Sequence, residues 1–90
     1  MLNQVILVGR IKEKHEGKIN VAIPRDYKNE NGEYDTDLVT VLVKGKLNDS
    51  VQDYCSIGDL VGIRGKVSTE KDNLIIKAEK VTFLSTSKKD

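Results

Sequence analysis

Two tyrosines, Tyr27 and Tyr34, stand in the most polar stretch of this 90-residue chain, RDYKNENGEYDT at positions 25–36. A tyrosine with no apolar neighbours has no core to enter, so its ring is left to stack on another flat group. Further along, Lys44, Arg64 and Lys66 fall on the polar side of segments whose alternate positions are valine or isoleucine. In an extended chain they project away from the apolar side, and Arg64 and Lys66, two apart, project together. Lys46, Arg10, Lys71 and Lys77 could lengthen this basic track. Flat rings beside cations suit a polyanion that carries flat groups of its own, as an unpaired nucleic-acid strand does. Taken singly, each cation reads equally well as a solvated charge and Tyr34 as an exposed loop residue, while Tyr27 is the stronger stacking candidate of the two.

Other chemistries lack their parts. His15 has no second metal ligand or acid–base partner near it in sequence, and reads as a solvated residue of a charged turn. Cys55 is the one cysteine, so an internal disulfide and a cysteine metal cage are excluded. The carboxylates Glu13, Glu16, Glu30, Glu33, Asp35 and Asp37 gather in turns, where charge keeps loops solvated, and no phosphate-cradling glycine loop occurs. No catalytic residue, metal or cofactor is expected. Fifteen basic residues against fourteen acidic ones give a net charge of +1. A nucleic-acid reading must therefore rest on where the charges fall. The apolar run Val5-Ile6-Leu7-Val8 is far short of a signal-peptide core or a membrane span, so the cytoplasm is expected and a membrane is not.

The elements that would position these residues are short strands. Residues 3–12 carry β-branched Val5, Ile6 and Val8 up to Gly9. Residues 18–23 alternate with Ile19, Val21 and Ile23 on one face, and Pro24, lacking a backbone donor, is expected to end the pairing. Asn31-Gly32 suits a tight hairpin turn. Residues 38–44 place Val39, Val41 and Val43 on one side and Leu38, Thr40, Leu42 and Lys44 on the other. Between Gly45 and Gly58 the period lengthens: Leu47, Val51, Tyr54 and Cys55 recur at helical spacing, which predicts a helix of about two to three turns. Tyr54 and Phe83 read as core or interface residues, and Cys55 as a small buried hydrophobe. Residues 60–68, a polar turn at 68–73 and residues 74–84 complete the pattern. Three strands, a helix and two strands predict an all-β protein: a five-stranded OB-fold Greek-key barrel over residues 1–84, with one short helix between strands 3 and 4. Residues 85–90 are expected to be a short disordered tail.

Five blocks carry a family likeness, in order: MLNQVILVGR at 1–10, RDYKNENGEY at 25–34, VKGKL at 43–47, IGDLVGIRGKV at 57–67 and AEKVTFL at 78–84. Together they resemble the bacterial single-stranded DNA-binding proteins. The resemblance implies that Tyr27 stands at a DNA-stacking aromatic of the second hairpin. It also implies that Lys44 and Leu38 replace two other aromatics of that family. The chain has no tryptophan. The loop at 68–73 is shorter than in most relatives, and STSKKD at 85–90 stands in place of their long tail with its acidic, hydrophobic tip.

The resemblance thus implies sequence-tolerant binding of single-stranded DNA in replication, recombination or repair, by a homodimer or homotetramer. The first strand and the outer sheet faces are its expected contacts. Ile6 and Val8 alternate with Val5 and Leu7, so one apolar face of that strand can enter the core and leave the other for a partner. An alternative is an oligomeric interaction module whose main partner is another replication protein, as in primosomal replication proteins that resemble this family and have lost its aromatics.

Overall fold

The computed structural model describes residues 3–85. Strands β1 (Val5–His15), β2 (Lys18–Lys28) and β3 (Tyr34–Leu42) precede helix α1 (Gly45–Tyr54), and β4 (Leu60–Glu70) and β5 (Asn73–Ser85) follow it. The strands close into a barrel in the order β1-β2-β3-β5-β4. The β3–β5 pair is parallel and the other four pairs are antiparallel. This is the expected OB-fold barrel.

Alternation drives the closure. Ile19 and Val21 of β2, Val41 of β3 and Val61 and Ile63 of β4 all point inward and are at most 1% exposed, with Ile11 of β1 and Val43 beside them. Each such side chain contributes roughly 1.5–3 kcal/mol by leaving water. Helix α1 lies against the barrel through Leu47, Val51 and the following Cys55. Its attachment is polar as well as apolar. The buried Asn48 amide accepts from the Gly17 N–H at 3.0 Å and donates to Glu16 Oε2 at 2.6 Å. Lys14 Nζ donates to the carbonyls of Gln52 (3.1 Å) and Cys55 (2.7 Å), satisfying acceptors that the last helical turn leaves open. The β1–β2 turn therefore holds the helix.

Several boundaries differ from the sequence expectation. Pro24 does not end the second strand: it sits opposite Thr36, and β2 continues through a bulge to Lys28. Pairing with β1 reaches only as far as Ala22, so Pro24 lies where its missing donor is not needed. The third strand begins at Tyr34 and stops at Leu42, although the Val43 N–H still donates to the Gly17 carbonyl at 2.9 Å, in register with the β2–β3 ladder. Lys44 consequently lies off the strand, in the link before α1. The polar turn at 68–73 tightens to Lys71-Asp72, both with positive φ (51° and 67°), and its neighbours join the strands. In the second hairpin only Gly32 of the Asn31-Gly32 pair has a positive φ.

His15 is the last residue of β1, its Nε2 3.7 Å from Glu13 Oε1. Cys55 is buried as expected, just beyond the helix. Tyr54 is not core. It is 79% exposed, and Phe83 is 50% exposed, because the buried stripe of α1 runs through Asn48 and Val51 and leaves Tyr54 on its flank. Ser85, expected to open the tail, belongs to β5, and residues 86–90 lie outside the described residues.

Candidate nucleic-acid interface

Strand register decides which cations meet. On the outer surface Lys18 of β2 pairs with Leu42 of β3, Leu42 with Lys77 of β5, and Lys77 with Lys66 of β4. Neighbouring strands lie about 4.8 Å apart, so this row spans roughly 15 Å around the barrel. Arg64, two residues from Lys66 along β4, pairs with Lys80 of β5 and with Ile6 of β1. All five cations are exposed. Lys66 lies 3.7 Å from Glu79, a solvent-screened pair that holds the lysine only weakly. These spacings are comparable to the screening length of about 10 Å at 0.1 M salt, so the charges act together on an approaching anion.

Three of these five, Arg64, Lys66 and Lys77, were legible as a basic group. Lys18 and Lys80 were not. The signal for Lys18 is its parity opposite Ile19, Val21 and Ile23. Lys80 is hidden by a register shift where β5 passes Arg64 and Gly65, which no alternation in the sequence announces.

The β2–β3 hairpin carries both candidate stacking rings. Tyr27 is 77% and Tyr34 55% exposed, and Lys28 Nζ stands 5.9 Å from the Tyr34 ring centroid. The tip is rigidified by Asn29, whose side-chain oxygen accepts from the N–H groups of Asn31 (2.8 Å) and Glu33 (3.0 Å). Between positions 25 and 37 the hairpin holds five acids and two bases, so its net charge repels phosphate. At its base Arg25 binds Asp37 through two parallel hydrogen bonds. That contact holds the Asp37 carboxyl below the usual carboxylate range and raises the Arg25 guanidinium further.

The remaining candidates are dispersed. Lys44 and Lys46 are exposed at the N-terminal end of α1, which has no acid in its first turn. Cations are disfavoured at that positive end by about 0.3–1 kcal/mol, so the helix has no structural use for them there. Arg10 pairs with Leu60 and Ala22 and donates to the Gly58 carbonyl at 3.0 Å. It lines a largely apolar groove of about 470 Å³ with Val8, Pro24 and Ile57. Lys71 sits at the β4–β5 turn beside Asp72. Leu38 is exposed on the outer face opposite Ala22. Among the described residues no cluster of His, Cys, Asp and Glu is grouped to hold a metal ion, and no helix is long and apolar enough to cross a membrane.

No protein-family model matches the chain. Individual proteins do. Single-stranded DNA-binding protein 1 of Streptococcus pyogenes is 35% identical across 79% of this chain and 62% of its own length. Single-stranded DNA-binding protein B of Bacillus subtilis is 32% identical across 77% of this chain and 70% of its own length. The chain belongs to the single-stranded DNA-binding protein family. It spans about three fifths of the Streptococcus pyogenes relative. Among solved structures, the small single-stranded DNA-binding protein of Streptomyces coelicolor superposes with a TM-score of 0.74 at 15% identity, covering 92% of this chain and 93% of that one, a likeness of fold.

Proposed function

We propose that this member of the family binds single-stranded DNA with little regard to sequence, as a homodimer or homotetramer serving DNA replication, recombination or repair. Phosphates follow the outer cations and bases stack on Tyr27 and Tyr34. The protein acts by binding alone, with no chemical step. The observation that carries this reading is the register-aligned row Lys18, Lys77 and Lys66, with Arg64 and Lys80 beside it, on a barrel whose relatives are named for single-stranded DNA. Lys44, Lys46, Arg10 and Lys71 extend the path at its margins.

The two halves of the reading separate in a salt series. With a fluorescent oligo-dT, Lys66→Ala weakens binding and flattens the log–log salt slope by about 0.7, one phosphate on a single strand. Tyr27→Ala weakens binding by about 1–3 kcal/mol and leaves the slope unchanged, because stacking is barely screened. A Lys66→Ala protein with the wild-type slope would put the phosphates elsewhere. Exposed Ile6, Val8, Tyr54 and Ile57 favour the second reading, a module whose main partner is another replication protein. Wild-type protein that fails to bind oligo-dT at low salt would select it.

A further inference from the structure

Arg25 is absent from the basic row, yet it is the better phosphate ligand by chemistry. A guanidinium offers a rigid planar fork that binds a carboxylate or a phosphate through two parallel hydrogen bonds. In this chain the fork is already taken. Arg25 Nη2 donates to Asp37 Oδ1 at 2.9 Å and Arg25 Nε donates to Asp37 Oδ2 at 3.2 Å, across the base of the β2–β3 hairpin. Both side chains are about half exposed, so an incoming anion can reach the pair. The pair lines an open cleft of about 430 Å³ together with Pro24 and Tyr27, the more exposed of the two candidate stacking residues. Residues 25–27, which carry this fork and this ring, fall in the bulge where β2 has no register partner on β3.

We infer that Asp37 is a built-in stand-in for a DNA phosphate: it masks Arg25 in the free protein, and a strand stacking on Tyr27 displaces the carboxylate and takes the guanidinium. The inference rests on the proposed single-strand binding at this hairpin. Exposed ion pairs have little net worth, so the mask opens readily, but it removes one cation from an acidic hairpin until a base has docked. Anions lacking a flat group, and duplexes whose bases are stacked away, gain no hold on Tyr27 to offset the repulsion from Asp37. The mask thus works as a selectivity element.

The test is a double-mutant cycle on oligo-dT binding over a salt series. Asp37→Asn keeps the shape and removes the charge. Affinity then rises several-fold at low salt because the fork need not be uncovered, while the log–log slope stays close to wild type, since Arg25 neutralises the same phosphate in both bound states. Arg25→Ala alone flattens the slope by about 0.7, one phosphate contact on a single strand, and in that background Asp37→Asn loses most of its gain. A gain of equal size in the Arg25→Ala background would mean generic charge removal and overturn the inference, as would a wild-type slope in Arg25→Ala. A measurement on the unaltered chain guards against a loosened hairpin: the Arg25 Nε–H resonance in a ¹H–¹⁵N spectrum shifts as oligo-dT saturates. A resonance that stays fixed while the protein binds overturns the mask alone. Wild-type protein that does not bind oligo-dT at all overturns the function beneath it.

Discussion

Gly65 shows how closely the cation row depends on single backbone positions. It lies on the inward side of β4 between Arg64 and Lys66, and a Cβ there would press into the carbonyl of Lys77. The absence of a side chain lets β4 and β5 approach at the point where Lys66 meets Lys77. Gly65→Ala is expected to destabilise the fold by about 1–3 kcal/mol, the usual cost of overpacking, with a urea midpoint to match. A midpoint equal to wild type would show that β5 gives way freely. The alternation that exposes Arg64 and Lys66 was legible, since a period of two is written in the sequence. The Arg25–Asp37 pair was not, because residues twelve apart meet only once the hairpin register is set. Cys55 was legible as buried, and burial pushes its thiol up, so it stays protonated and unreactive in the folded chain.

At the scale of elements, order and type followed from periodicity, and the errors lie at ends. Lys44 reads as a strand residue because alternation continues through Val43, which is buried and still donates to Gly17, but the strand ends at Leu42 and Lys44 lies in the link to α1. Alternation reports burial and does not mark where a strand stops. The polar anchoring of α1 by Lys14 and Asn48 had no signal either, since both look like surface residues in sequence. The first strand carries a consequence for assembly. Residues Val5 to Gly9 pair with β4, while β1–β2 pairing begins only at Arg10, so among the described residues their other edge has no strand partner. Ile6 (75% exposed) and Val8 (50% exposed) stand outward on the same stretch. An unpaired edge with an apolar face is a template for a second copy. Light scattering at micromolar concentration is expected to give a mass of two or four times the 10.1 kDa chain. A mass of one chain would contradict the oligomer.

Over the whole molecule, a net charge of +1 conceals a division that only the barrel reveals. Closing β5 between β3 and β4 gathers five cations from three strands onto the outer surface, while five of the fourteen acids lie on the β2–β3 hairpin beside the tyrosines. On the proposed reading, a single strand turns its phosphates to the row and its bases to the hairpin. A duplex has no free bases, and its denser phosphates meet the acidic hairpin. The most direct measurement is a titration of oligo-dT against a duplex of equal length at about 50 and about 200 mM salt, a range over which phosphate-driven binding falls steeply. The single strand is expected to bind more tightly at both, with the ratio widening at the higher salt, because duplex binding rests on charge alone and stacking does not. Equal affinities, or a ratio that shrinks as salt rises, would mean that charge attraction is all there is and would contradict single-strand recognition.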